Sequence, residues 1–581
     1  MNKTTFSFIF FLFISQTIVY AQNNIIEYKQ RPIEFENFEN RNDTLIQLKK
    51  INPNGAISTF ASKLPYPILF IHGLNSSSET WNTTTNYFDN QYLFTYGGRF
   101  DFCLNADNNN TTTNKNFYPT PNADIAAFET SVQNGDYFYV NFNVNPNGSI
   151  GTNVLSNQSA VAKQGAAIKV AVQRVMQITG KDKVILVGHS MGGLASREYI
   201  QNSYNWQSDI YHHVAKLFCI GTPNGGSNAS DNSLVYFTGT DLQSEAIRDL
   251  KSTYYYSGEA GRFLFGGTEN QNSNNMNDNS YSPDFYNVDI NCNEIIGETI
   301  LGLNQKPIDN LIDYSCFIGR ITDFFANNIT TDGIVEEPSS NLNYFYPSLI
   351  FPAKLFYYNL GYDLIENHTE LTSYYYQIMQ GLDEPNYKEL AYSIETNKIY
   401  NGFTTVQNPV NEDIDYFKFS ISDNMNAIVS ISNIVTSAMT ASIVNEFGVD
   451  VGAIQNNTGN TLNFVRTISP GNYYLKITST TPTNTNYQTP YQFSISTTLS
   501  TENNIFDEFT FYPNPVEDIL YLDNLIINKA LVFDISGQFI SEKSFENESS
   551  NSIDLSELQT GMYFVVLKNY EQEKTIKIVK K

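Results

Sequence analysis

Histidine is scarce in this chain, with five among 581 residues. Chemistry that needs an imidazole must therefore draw on His72, His189, His212, His213 or His368. Positive charge is short as well: 34 Lys and Arg face 59 Asp and Glu, for a net charge of −25. Binding phosphates requires clustered cations, so a nucleic-acid partner is excluded and the acidity reads as solubility. Only four cysteines occur, Cys103, Cys219, Cys292 and Cys316, and none forms a C-x-x-C pair. Zinc has no support from that spacing, and neither a metal nor a cofactor is expected. Four cysteines allow three pairings, but Cys219 lies in the apolar run Leu217-Phe218-Cys219-Ile220, which suits a buried free thiol at least as well as a disulfide. Beyond the N-terminus no apolar run approaches the length that spans a bilayer, so no transmembrane segment is expected in the mature chain.

What is present begins with a leader. Lys3 is followed by the apolar stretch Phe6 to Ile14, and Val19-Tyr20-Ala21 precedes Gln22. This predicts a signal peptide over 1–21, cleaved after Ala21. Without a cysteine near that point, a lipid anchor is not expected. Residues 22–59 form an N-terminal extension, and the remaining length suffices for several domains with their own cores.

From about residue 60 to 385, short apolar runs alternate with helical patterns. Tyr66 to Ile71, Tyr137 to Phe142, Val184 to Val187, Leu217 to Ile220 and Ser315 to Ile318 fit strands buried on both faces of a parallel sheet. Between the second and third, Ser159 to Thr179 places Val161, Ile168, Val172, Val175 and Ile178 near one helical face, and Gly180 supplies a stop. The expectation is an α/β fold, a mostly parallel sheet with helices on both faces and its site beyond the carboxyl ends of the strands.

The run Val184 to Val187 enters Gly188-His189-Ser190-Met191-Gly192, and a helical pattern follows over Leu194 to Tyr199. A strand, a G-x-S-x-G turn and a helix form a nucleophile elbow, which lifts the serine oxygen clear of the backbone. Acyl transfer also needs two N–H donors for an oxyanion. Met191, after the nucleophile, provides one, and Leu74 in the loop after the first strand is the candidate for the other. His72-Gly73-Leu74, Gly188 to Gly193 and Gly221-Thr222-Pro223-Asn224-Gly225-Gly226-Ser227 together resemble the bacterial α/β-hydrolase lipases and related lipid-deacylating esterases, over roughly residues 64 to 375. Many such enzymes carry His where this chain has Asn224, a variation outside the catalytic set; a structural turn suits the third motif better than a catalytic one.

The base follows by elimination. In the order Ser, acid, His, the motif histidines His72 and His189 are already used, and His212 and His213 lie too close after Ser190 to leave a strand bearing an acid between them. His368 remains, in the polar stretch Ile365 to Leu371. For the acid, Thr331-Asp332-Gly333-Ile334-Val335 resembles the aspartate loop of the lipases, with Asp323 the runner-up. The expected enzyme is a serine ester hydrolase acting on lipids or other esters through Ser190, His368 and Asp332; alternatives are an amidase or another acyl hydrolase, or a surface interaction protein without turnover. Two insertions interrupt the core: the Asn/Thr-rich Asn105 to Asn122, and 224–293, whose clustered aromatics fit a lid or a permanently packed segment equally.

After about residue 390 the helical pattern gives way to period-two alternation. Asp415 to Ile421, Ile428 to Ile431, Asn472 to Ile477 and Tyr491 to Ile495 predict a β-sandwich over 390–500. Its Asp413 start and its Gly471-Asn472-Tyr473-Tyr474 hairpin resemble pre-peptidase C-terminal modules, which implies an accessory domain. Residues 505–581 make a second all-β domain. There, Phe511-Tyr512-Pro513-Asn514-Pro515-Val516, Val532 to Gly537, Leu555 to Val566 and a Lys-rich end resemble the C-terminal sorting domain of the type IX secretion system of Bacteroidetes. That resemblance implies the secretion machinery as a partner, a destination at the cell surface or outside, and removal of the tail.

Overall fold

In the computed structural model, residues 48–51, 63–104, 126–145, 147–150, 154–227, 245–250, 266–268, 299–322, 328–329, 331–360, 366–405, 412–435, 438–480, 488–499, 509–523, 527–545, 552–568 and 573–581 are described. The signal-peptide reading, the Asn105 to Asn122 insertion, Asp323 and Cys292 lie outside them, as do all but short pieces of 224–293.

Apolar strands with no polar face must be covered on both sides, and here they form the middle of a ten-stranded sheet. Its order runs Leu48–Ile51, Ala126–Thr130, Tyr96–Cys103, Tyr137–Asn141, Ile68–Ile71, Val184–His189, Val214–Ile220, Asp313–Thr322, with Asn328–Ile329 and Lys354–Leu360 both paired to the last. Pairing is parallel except at two places, Tyr96–Cys103 with Ala126–Thr130 and Asp313–Thr322 with Asn328–Ile329. All five strands read from the sequence are present. Val184–His189 lies at the centre, between Ile68–Ile71 and Val214–Ile220, so its carboxyl end opens into the middle of the molecule's strand-end face.

Helix Val161–Thr179 buries Ile168, Ala171, Val172 and Val175, and ends where Gly180 adopts φ 70°, a left-handed conformation that glycine takes without a Cβ penalty. The elbow helix runs Met191–Gln201 and is buried throughout. Among the described residues, no helix is long and apolar enough to cross a membrane. Cys103 is buried, and Cys219 and Cys316 are buried free thiols side by side in register on neighbouring strands. Within the 224–293 segment, helix Glu245–Leu250 is packed on the core: Ala246 and Leu250 contact Val161, Met191, Leu194 and Leu303, with Leu74 alongside.

Strands Tyr392–Ser393, Asp413–Ile421, Gly471–Ser479, Met439–Asn445 and Gln455–Asn456 form one sheet of the β region, and Ile399–Gly402, Tyr491–Leu499, Met425–Ser432 and Leu462–Ile468 form the other. Burial alternates strictly along the start of Asp413–Ile421, as period-two patterning requires. This region groups with the hydrolase sheet as one compact unit. Where they meet, five buried acids, Asp313, Asp383, Glu384, Asp413 and Asp415, surround two lysines of the hydrolase strands. Lys216 Nζ lies 2.5 Å from Asp313, and Lys354 Nζ lies 3.6 Å from Asp383.

The second unit, mainly Thr498–Lys581, holds a three-stranded sheet, Thr510–Tyr512, Ile519–Asp523 and Ser552–Asp554, and a four-stranded one, Phe539–Ser544, Lys529–Asp534, Gly561–Lys568 and Glu573–Lys580. Val516, Leu520, Val532, Val565 and Ile578 make its core.

Candidate active site

Ser190 sits between the strand Val184–His189 and the helix Met191–Gln201 with φ 53° and ψ −125°. A non-glycine residue is seldom found there, and such strain persists only where the surroundings hold it. Ser190 N–H donates to Ile220 O at 2.8 Å, and Gly193 N–H donates to Ser190 O at 3.0 Å. The flanking glycines permit the crossing: a Cβ on Gly188 would stand 2.4 Å from Gly193 N, and one on Gly192 would stand 2.5 Å from His72 O. Both are backbone atoms that cannot yield.

Asp332 and His368 arrive from later strands. Asp332 follows the Asp313–Thr322 hairpin, in a turn with Gly333 at φ 96°. Its Oδ1 accepts from Ile334 N–H at 3.0 Å and Val335 N–H at 2.7 Å, which aims Oδ2 at His368. His368 Nδ1 donates to that oxygen at 2.7 Å, with both side chains buried. Nε2 of the ring is buried and has no hydrogen-bond partner among the described residues. The pair lies over Gly221: a Cβ there would stand 3.1 Å from His368 Cε1 and 3.2 Å from Asp332 Oδ2. Since Ser190 N–H is bonded to Ile220 O, the serine, the imidazole and the carboxylate gather at the carboxyl ends of adjacent strands.

The loop after Ile68–Ile71 runs against the serine, for a Cβ on Gly73 would come within 2.7 Å of Ser190 Cβ. Leu74 is thereby placed beside the nucleophile and packs with Met191, which heads the elbow helix. His72 fixes the loop. Phe142 N–H donates to His72 Nε2 at 2.8 Å, so the proton is on Nδ1, which donates to Gly73 O at 2.9 Å. Burial drives the His72 pKa down to about 4, consistent with a neutral ring.

Three further contacts had no sequence signal. His189 Nε2 lies 2.9 Å from the main-chain oxygen of His368. Thr84 Oγ1 donates to Thr372 O at 2.6 Å, and Thr80 Oγ1 and Thr372 Oγ1 share a 2.9 Å bond, tying the His368 segment to the helix after the oxyanion loop. Asn224 has a structural place. Its Oδ1 accepts from the fully buried Arg197 at 3.1 Å, and its Nδ2 donates to Ser340 O at 3.2 Å. His212 and His213 bond instead to Asp309 at 2.9 Å and Asp209 at 2.7 Å. Among the described residues the one acidic group close enough to share a cation is Asp383, Asp413 and Asp415, and Lys354 already reaches it.

Sheet and elbow give the chain an α/β-hydrolase fold. Residues 65–254 match the PGAP1-like alpha/beta domain, and residues 510–581 match the secretion system C-terminal sorting domain. The chain thus joins a hydrolase domain to a tail that directs export through type IX secretion to the cell surface or outside. No curated protein matches the sequence. Among solved structures it is similar to a gene product of Listeria innocua, with 16% identity, 54% of this chain and 91% of the other covered, and a TM-score of 0.31. Lipase BlEst2 of Bacillus licheniformis in its propeptide form shows 15% identity over 90% of this chain and 95% of its own, with a TM-score of 0.27. The pre-peptidase C-terminal domain of Bacillus anthracis collagenase shows 21% identity over 20% of this chain and 99% of its own, with a TM-score of 0.16.

Proposed function

We propose that the protein is a secreted carboxylic ester hydrolase that acts on lipid esters through an acyl-enzyme. The observation that carries this reading is the buried His368–Asp332 bond of 2.7 Å beside the strained elbow serine. Ser190 Oγ attacks the ester carbonyl, and His368 Nε2 takes its proton and returns it to the leaving alcohol. Asp332 keeps the second proton on Nδ1 and balances the imidazolium. The N–H groups of Met191 and Leu74 receive the oxyanion, and water repeats the cycle on the acyl-enzyme. Leu74 of the oxyanion loop packs on the buried apolar cluster of Met191, Leu194, Ala246, Leu250 and Leu303, so the wall behind that loop is apolar. In the domain proposal, 60–385 catalyses, 390–500 is accessory and 505–581 sorts.

The test is hydrolysis of p-nitrophenyl esters of graded chain length by the wild type and Ser190→Ala. The expected result is a rate that depends on Ser190 and rises with chain length. Equal rates for the two proteins would overturn the proposal.

A further inference from the structure

We propose that His189 is a positioning residue for the base: its Nε2–H holds the main-chain carbonyl of His368 and so fixes the imidazole relative to the neighbouring nucleophile. The inference rests on the assignment of Ser190 and His368 made above. A carbonyl oxygen only accepts, so the 2.9 Å contact places the ring proton on Nε2. His368 belongs to a helix of five residues, Glu366–Glu370, whose last carbonyls have no partner within the helix. One of these carbonyls is the atom His189 engages.

Position gives this bond a role that the other anchors of the segment lack. Asp332 holds the imidazole from the far side, and Thr80 and Thr84 hold Thr372, four residues beyond His368. None of these adjoins Ser190 in the chain, whereas His189 does. Ser190 is itself locked by its own φ of 53° and by its bond to Ile220 O. A continuous set of links then runs from the nucleophile through His189 to the backbone of the base and on to Asp332.

The ring suits the task because it stays neutral. It is 3% exposed, and burial first, then the neighbouring His368, lowers its pKa to about 3. Its centroid lies 4.9 Å from that of His368, so a charge on His189 would repel the imidazolium that forms in each turnover. A neutral donor fixes the base without that penalty. A purely space-filling role is the competing account, since the ring also meets Trp81 edge-on at 6.4 Å.

Full-length wild type, Ser190→Ala, His189→Phe and His189→Gln are compared by the rate at which a fluorophosphonate labels the protein, and by kcat and KM on a p-nitrophenyl ester. Phe keeps the ring volume and removes the donor, while the Gln amide restores an N–H at similar reach. Phe is expected to slow labelling and kcat about ten- to a hundredfold with KM within about twofold, because small misplacements of a catalytic group carry such costs. Gln recovers most of the loss. If Phe does not fold, His189→Asn, whose amide falls one methylene short, is expected to show the same deficit. Wild-type labelling in the Phe variant, or equal slowing in Phe and Gln, overturns the role of His189. A wild type that is not labelled at Ser190 overturns the assignment beneath it instead.

Discussion

His368 Nδ1 and Asp332 Oδ2 stand 2.7 Å apart although 36 positions separate the two residues. Asp332 is 1% exposed, and its second oxygen is occupied by the N–H groups of Ile334 and Val335. Each carboxylate oxygen thus has one task, a local turn for Oδ1 and the imidazole for Oδ2. Asp332→Asn separates them, because the amide oxygen still serves the turn while its NH2 faces His368. The ring must then carry its proton on Nε2, where it cannot take one from Ser190. Turnover is expected to fall about a thousandfold or more at little cost in thermal stability. Ester hydrolysis measured beside a melting curve checks this. A loss of activity that follows unfolding would place Asp332 among structural residues.

Gly73 is the narrowest point of the site. A methyl group there would meet Ser190 Cβ at 2.7 Å and His189 O at 3.0 Å, so the oxyanion loop must withdraw. Moving one donor away from the developing charge costs on the order of a hundredfold in kcat. Gly73→Ala is therefore expected to lower kcat by about that factor and to spare KM, as steady-state kinetics on a short-chain ester would reveal.

Two histidines of the site are buried and neutral, and this gives the fold an acid limit. The folded pKa values, about 4 for His72 and about 3 for His189, lie below the ordinary 6.5. Stability from these rings is fully present above pH 6.5 and is lost as pH falls through the folded values. Each pKa unit corresponds to about 1.4 kcal/mol, so the two together contribute on the order of 8 kcal/mol. Urea midpoints should drop between pH 6.5 and 4, and His72→Gln, which does not titrate, should flatten the slope. An unchanged slope in that variant would contradict the linkage.

The strands that hold the nucleophile were legible because they are buried on both faces and read as unbroken apolar runs. Tyr96–Cys103 was not, since Gly97 and Gly98 interrupt it and its fully buried Asp101 resembles a loop residue. Asp101 is tolerated because Arg99, Thr130 and Asn141 all donate to it. Lys354–Leu360 was missed for a different reason: among the described residues it pairs with Asp313–Thr322 alone, and half-exposed positions blur its period. At the site, motif and scarcity pointed to residues that the fold brings together. The bond from His189 to a main-chain oxygen 179 positions away left no trace in spacing, because it depends on backbone geometry rather than residue type.

The acidic junction sets the opposite pH limit. Burial first, then neighbouring carboxylates, raises Glu384, Asp413 and Asp415 well above the ordinary carboxylate range. Lys216 and Lys354 cannot neutralise all five acids, so the cluster is held together by retained protons. An acid with a raised folded pKa contributes stability that is fully present below its unfolded value and is lost as pH rises through the folded one. Above pH 6.5, where the two buried histidines add no slope of their own, the melting temperature of this unit should therefore fall up to pH 9. Asp415→Asn removes one charge and keeps an oxygen for the Tyr491 hydroxyl, which donates to Asp415 Oδ2 at 2.6 Å. The variant should melt above the wild type at pH 9 and close to it at pH 5. An equal loss at both pH values would mean that Asp415 is held ionised by the lysines, and that the junction is an ion-pair network with no stored protons.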